Sequence, residues 1–341
     1  MRAAVLSEPG KVQIVHLAKS VAAPGEALLR IRRVGLCGSD LNSYRGRNPL
    51  VSYPRILGHE VAATIVEMTE PHPPLRVGMD VTLSPYTSCG QCASCRRGRH
   101  NACQSNQTLG VQRHGALTEF ISIPVDRLFP AKLSLEELCL VEPLTVGFHA
   151  AARGSVAAGE TVAVIGCGGV GLGAIAASAF RGAKVVAVDV DDAKLAIARK
   201  AGATHTLHTG RENLSKTLRD LTGGLGPDVI VEAVGTPATF QAAVEEVAYT
   251  GRVVYIGYAK EPVSYETRLF VQKELDILGS RNAQPEDFRE VIAVLETGRF
   301  PVRDVISAII PLEEAPAMFA AWSAEPSRFT KIMIALDECS G

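Results

Sequence analysis

The sequence predicts an α/β protein of two domains, a β-rich first half and a second half built on a parallel sheet. Three observations predict it. Residues 1–150 carry short β-branched runs broken by Gly and Pro every few positions. From about 155 the texture changes to apolar strands alternating with helical stretches, the pattern of βαβ units. The length, 341 residues, suits about two domains.

The first half reads as short strands and turns, Ala27–Val34, Val61–Val66 and Val77–Leu83 among the strands, which makes it a mostly β unit with loops. In the second half, Val162–Ile165 is a strand, followed by glycines and an Ala-rich helix over Val170–Arg181. Lys184–Asp189 is the next strand and Asp191–Ala201 the next helix, with Asp at its start, where an N-cap belongs. Asp228–Ala233, Arg252–Gly257 and Leu275–Leu278 continue the strands, with a helix over Pro237–Ala248. The tail from about 285 holds two more helical stretches and ends on the strand-like Lys331–Leu336. Domain boundaries are expected at 150/151 and 284/285, with 285–341 returning to complete the first domain.

Lys plus Arg number 35 against 36 Asp plus Glu, so no electrostatic footprint for nucleic acid or an anionic membrane is present. The run Arg96, Arg97, Arg99, His100 reads as a solvated edge rather than a nucleic-acid contact. Thr161–Phe180 has no charged residue, but glycines at 166, 168, 169, 171 and 173 argue against a lipid-facing helix. The opening residues, MRAAVLSEPGKVQIV, show neither the apolar core nor the small-residue cleavage site of a secretory signal. A soluble, cytoplasmic protein is expected.

Gly166-x-Gly168-x-x-Gly171 lies directly between a predicted strand and helix. Its glycines suit a tight turn, close approach of backbone to a pyrophosphate, and close packing of helix on strand, with free N–H groups at the helix start facing the phosphate. Asp189 closes the next strand about twenty residues on, where a carboxylate accepts from a ribose hydroxyl. Together these mark a Rossmann dinucleotide site. Asp189, with Asp191 and Asp192 behind it, favours NAD over NADP by repelling a 2′-phosphate.

Cys89, Cys92, Cys95 and Cys103 fall within one loop, four of eight cysteines in the chain. In a reducing compartment such clustering points to metal rather than disulfides. Four thiolates close a tetrahedral shell and leave no position for substrate, the signature of a structural zinc. The iron–sulfur run that also begins C-x2-C-x2-C continues with x3-C-P, and this one does not. A second set is dispersed: Cys37 in GLCGSD, His59 and Glu60 in GHE, and Glu142 in VEPLTVG. A thiol, an imidazole and a carboxylate have the composition of a catalytic zinc with an open position.

GLCGSD, GHE, the four-cysteine lobe, EPLTVGFHA and VIGCGGVGLGAI occur in that order along the chain. In this the sequence resembles the zinc-dependent medium-chain dehydrogenase/reductase superfamily. Glu at 142 resembles the sorbitol and threonine dehydrogenase branch, and the text around Asn42–Gly46 and Gly279–Asn282 looks closer to bacterial dehydrogenases of L-galactonate or L-gulonate, a group that includes starvation-sensing-type proteins. The resemblance implies a GroES-like catalytic domain and a Rossmann cofactor domain with the ligand cleft between them, and two zinc ions per subunit. It implies a catalytic zinc held by Cys37, His59 and either Glu60 or Glu142, and NAD bound by Gly166, Gly168, Gly169, Val170, Gly171, Asp189, Thr145 and Lys194.

The implied reaction takes a hydride from a secondary hydroxyl of a polyol or sugar acid to NAD, giving a ketone. Ser39 stands at the proton-relay position. Many relatives complete the relay with a histidine three residues on, where this chain has Asn42, so proton exit must run through the cofactor ribose, water or another group. Tyr44, Arg47 and Arg281 are the candidate substrate contacts, Arg281 because a guanidinium fork suits a carboxylate. A homodimer or homotetramer is expected. L-threonine 3-dehydrogenase is the nearest enzymatic alternative. A non-catalytic NAD-binding regulator is the alternative of another class, and both complete metal sets argue against it.

Overall fold

The computed structural model describes residues 1–336, and the last five residues of the tail assigned to the first domain lie outside it. The chain divides into two units. One comprises Met1–Glu142 with the tail from Val302, the other Pro143–Pro301. Both boundaries differ from those expected at 150/151 and 284/285. The first division falls inside a 19-residue helix, Leu135–Arg153, that the sequence reading did not single out in a half read as mostly β. That helix carries Pro143 in its interior, where a pyrrolidine ring removes one helical hydrogen bond. The second boundary shifts because the helix Pro285–Glu296 packs with the second unit, where Asp287 pairs with His149 and Glu290 with Arg181.

The first unit is built on β-sheet. Glu26–Gly35 is the long central strand of a seven-stranded, mostly antiparallel sheet, and it pairs with Glu60–Met68 on one side. Lys331–Ala335 from the tail pairs on its other side, with Met333 opposite Gly35. Leu29, Ile31, Ile65 and Leu83 meet Phe319, Trp322 and Ile332 of the tail in one core. The tail is therefore structural to this unit. The strand expected over Val77–Leu83 begins only at Asp80, because Gly78, at φ +87°, turns the chain first.

In the second unit six parallel strands run in the order 3-2-1-4-5-6, counted along the unit, which is the Rossmann arrangement. Thr161–Ile165 and Val229–Glu232 lie at its centre and are buried almost throughout, as strands covered on both faces must be. Lys184–Asp189 has the expected bounds, and Asp191 caps the following helix by accepting from Ala193 N at 2.8 Å.

The glycines of the opening helices set their spacing. A Cβ on Gly147 would lie 2.2 Å from Ala174 N, and one on Gly173 would lie 2.5 Å from Leu144 O. Both obstacles are backbone, so neither can swing aside. Gly147→Ala is expected to lower unfolding free energy by about 1–3 kcal/mol or more in urea titration. A variant as stable as the parent would show that these helices have room to separate.

Candidate active site

Four cysteines converge in the first unit. One ligand atom from each of Cys89, Cys92, Cys95 and Cys103 lies within 4.8 Å of the others. Cys92 Sγ is 3.4 Å from Cys95 Sγ and 3.9 Å from Cys103 Sγ. These separations are far too long for a disulfide. They bracket the edge of about 3.8 Å that Zn–S bonds of 2.3 Å give a tetrahedron. The Ser94 hydroxyl, then the backbone N–H groups of Gln104 and Cys95, hold the Cys92 thiol down to about 5, whereas burial and then Cys92 itself push the Cys95 thiol up to about 11, so the first negative charge of the cluster settles on Cys92. The donor set fits zinc.

The second set assembles from two turns. Cys37 precedes the short helix Gly38–Tyr44, and Asp40 on that helix is almost fully buried. Asp40 accepts from Cys37 N at 2.9 Å and from Gly58 N at 3.2 Å, so one carboxylate fastens the Cys37 turn to the turn that presents His59. Gly58 holds φ +91°, where a Cβ would meet Val34 at 2.6 Å. Gly115, Ala116 and Leu117 lash the same turn down by donating to Ile56 O, Gly58 O and Leu57 O. Thus GHE needs its glycine to bring His59 inward from the head of the strand Glu60–Met68.

Cys37, His59 and Glu60 place ligand atoms within 4.8 Å of one another. His59 Nδ1 and Ser39 Oγ are buried and find no hydrogen-bond partner among the described residues. Buried polar atoms without partners mark places where a bound group supplies them. Burial pushes the His59 pKa down, but Asp40, Cys37 and Glu142 outweigh it and hold the imidazole well above its ordinary value. A site this rich in negative charge calls for a cation.

Glu142 does not join that trio. Buried on the helix Leu135–Arg153, it accepts from the Tyr86 hydroxyl at 2.5 Å, and burial raises its pKa. Glu60 is gripped by Lys331, whose Nζ lies 2.6 Å from both of its carboxylate oxygens. Asp40, Tyr86 and Lys331 were absent from the sequence reading. Asp40 stood inside the GLCGSD motif, but Tyr86 and Lys331 carried no local signal.

Of the substrate candidates, Tyr44 turns inward. Its ring stacks on Phe319 at 5.5 Å and packs against the core of the first unit, which explains it as a core residue. Arg47 lies exposed beyond the helix end, its N–H donating to Asn42 O. Asn42 itself is exposed. Arg281 lies just past the strand Asp276–Gly279, itself exposed between the buried Ser280 and Ala283, and Asn282 takes φ +52°.

In the second unit the glycine loop has the expected form. Gly166 holds φ +98°, Gly168 caps the helix Gly169–Phe180, and a Cβ on Gly171 would overlap Gly166 O at 1.8 Å. Asp189 Oδ2 accepts from Cys167 N at 2.7 Å, and Oδ1 accepts from Val190 N and Asp191 N at 2.7 and 3.1 Å. The carboxylate thereby fixes the loop to the neighbouring strand. Lys194 and Val170 are half-buried near it, and Thr145 is wholly buried on its helix.

Two family models match. Residues 23–133 match the alcohol dehydrogenase GroES-like domain, and residues 169–297 match the zinc-binding dehydrogenase domain. L-galactonate-5-dehydrogenase of Escherichia coli (strain K12) is 34% identical over 84% of this chain and 85% of its own. The chain belongs to the zinc-dependent medium-chain dehydrogenase/reductase superfamily. The structure of an alcohol dehydrogenase (rspB) from Escherichia coli CFT073, complexed with NADH, superposes with a TM-score of 0.90 at 25% identity, covering 98% of this chain and 99% of that one. A zinc-binding dehydrogenase structure from Sinorhizobium meliloti 1021, bound to NADP, gives a TM-score of 0.91 at 26% identity over 98% and 99%. The β-rich unit is thus GroES-like, and the parallel sheet is the cofactor domain of this superfamily. Among the described residues no helix is long and apolar enough to cross a membrane.

Proposed function

We propose that this zinc-dependent dehydrogenase oxidises a secondary hydroxyl of a sugar acid or polyol to a ketone, with NAD as hydride acceptor. The observation that carries it is the convergence of Cys37, His59 and Glu60, with the buried, partnerless Ser39 hydroxyl two residues after Cys37 in the chain. Cys37, His59 and one of Glu60 and Glu142 would hold the catalytic zinc, and the four-cysteine lobe a structural one. When bound, the zinc supplies a Lewis acid for the substrate oxygen and the nicotinamide an acceptor for hydride.

The chain's own residues do the rest. Ser39 Oγ, buried and unpartnered, receives the substrate's hydroxyl proton. Asn42 has no titrating group and cannot take the proton that Ser39 gives up in exchange, so the ribose hydroxyl of a bound cofactor would offer the next acceptor. Gly166, Gly168 and Gly171 let the backbone approach the pyrophosphate, and Gly169 and Val170 begin the helix whose N-terminus faces it. Asp189, immobilised by three backbone N–H groups, keeps acceptor capacity for a ribose hydroxyl and repels a 2′-phosphate. Lys194 follows on the next helix. Arg281 offers its guanidinium to a substrate carboxylate.

The strand Asp276–Gly279 ends the parallel sheet and exposes Ile277, an edge open to pairing with a second copy, which supports a homo-oligomer. The free thiols of both metal sets suit the reducing cytoplasm.

The test is reduction of NAD and of NADP by purified protein against L-galactonate, L-gulonate, sorbitol, galactitol and L-threonine, with and without chelator. Turnover is expected on the aldonates, with a higher kcat/KM for NAD, and Arg281→Ala is expected to raise KM for them about tenfold or more. Turnover confined to neutral polyols, or an unchanged KM, removes the carboxylate assignment. Preference for NADP removes the role given to Asp189.

A further inference from the structure

Arg55 is a buried cation that lacks a counter-ion among the described residues. It is 8% exposed, on the short strand Arg55–Ile56 that leads into the turn presenting His59. Its guanidinium has five N–H donors, and the structure gives one of them a partner, Nη2 donating to Ser52 Oγ at 2.6 Å. Nε is buried and finds no partner among the described residues. Burial pushes the Arg55 pKa down, and no nearby acid pushes it back up. Other arginines of the same unit show what is missing. Arg2 is far more exposed yet holds Glu119 and Glu313, and Arg33 holds Glu136. An unpaired buried charge is strongly destabilising, and a bound anion is what would relieve it.

Two exposed side chains complete the surroundings of this charge. His114 Nδ1 accepts from Ile56 N at 3.2 Å, so the ring's proton sits on Nε2 and is free to be donated. Burial, then the Arg55 charge, push the imidazole pKa down and keep the ring neutral. Ser52 accepts from Arg55 and still has its own hydroxyl proton to give. We propose that Arg55, Ser52 and His114 form a binding site for a small carboxylate, using no residue of either metal set or of the cofactor loop. Charge fixes the class: with His114 neutral the site is singly positive, which a carboxylate balances and a phosphate dianion exceeds. The planar guanidinium fork also matches two carboxylate oxygens. His114 and Gly115 hold Ile56 by its N–H and its carbonyl, so an acid spanning Arg55 and His114 fastens the chain that leads to His59.

The experiment follows thermal unfolding of full-length, zinc-loaded protein at neutral pH and constant ionic strength, with acetate as the probe. The parent's melting temperature is expected to rise with acetate concentration. Arg55→Met removes the charge and keeps the bulk, so it is expected to melt above the parent in acetate-free buffer. Its acetate affinity should fall about tenfold or more. His114→Asp supplies a carboxylate from the chain itself and should likewise raise the melting temperature and abolish the acetate response. Inorganic phosphate is expected to bind the parent more weakly than acetate does. L-galactonate in place of acetate separates the two sources of a carboxylate. A response to it that Arg55→Met abolishes makes the carboxylate the acid substrate's own, and one that keeps its size there assigns the site to a second small acid.

An Arg55→Met protein that melts below the parent, with no acetate response in either, overturns the proposal, since a purely structural arginine would do that. An acetate response that persists in Arg55→Met comes from elsewhere, the metal centre included, and overturns it too. Phosphate binding more tightly than acetate overturns the assignment to a carboxylate. Should Arg55→Met fail to fold, His114→Asp decides alone, and an acetate response unchanged there is equally fatal. None of these readouts needs turnover, so the site stands or falls separately from the proposed reaction.

Discussion

Replacing Cys37 with Ser is expected to cut NAD reduction by at least about a thousandfold, because the site loses its softest metal ligand and with it the Lewis acid. Zinc content should fall from two ions per chain to one, the remaining ion belonging to the four-cysteine lobe. The fold should survive. Serine is a good residue at the start of a helix, and the backbone N–H of residue 37 keeps its bond to Asp40. His59→Ala should give the same loss with a larger drop in melting temperature, since that ring is 6% exposed and its removal leaves space beside Asp40. Both variants are read by elemental analysis and initial rates. A Cys37→Ser protein that retains two zinc ions and the parent rate would refute the assignment of the catalytic centre.

The sequence made this centre legible in proportion to how local its parts are. Gly166, Gly168 and Gly171 sit between a strand and a helix that follow each other directly, so spacing alone places them. The strand Lys184–Asp189 has the same bounds in sequence and structure because an unbroken apolar run ending in Asp reads only one way. The four cysteines lie in one loop, and their geometry is a short-range matter. Lys331 is the opposite case. It reaches Glu60 across 271 positions, through a tail strand whose pairing partner nothing in its own six or so residues announces. Tyr86 meets Glu142 in the same long-range way.

The helix Leu135–Arg153 failed to show for another reason. Its residues are buried on most sides, so no polar stripe alternates with an apolar one. That one omission displaced the domain boundary and obscured the fact that Glu142 and Thr145 share a helix. Burial of Thr145, and the stacking of Tyr44 on Phe319, likewise depend on what each element packs against. Local motifs locate chemistry here, and long-range packing decides which neighbours tune it.

The four-cysteine lobe should behave as a separate cooperative unit once its metal is gone. Between Pro85 and Leu109 the chain has only two short helical turns, Ala93–Arg96 and His100–Ala102, and few buried apolar side chains, so little besides the ion opposes its conformational entropy. Cys103→Ser, at a fully buried position, is expected to release one zinc and to open this segment. Arg96, Arg97 and Arg99 then present a row of tryptic sites. Cleavage within 96–99 should accelerate about a hundredfold or more over the parent, while the rest of the chain resists, because cleavage tracks the population of the open segment. The consequence reaches the catalytic centre. The base of the lobe is tied to residues 85–87 by Leu109 N donating to Pro85 O and Gln107 N to Thr87 Oγ1, and Tyr86 between them donates to Glu142. Activity should therefore fall with the lobe even where the second zinc is retained, and fall in step with tryptic susceptibility. Equal protease resistance in Cys103→Ser and parent would show that the lobe holds itself together without metal. Susceptibility without loss of rate would show that the grip of Tyr86 on Glu142 is independent of the lobe.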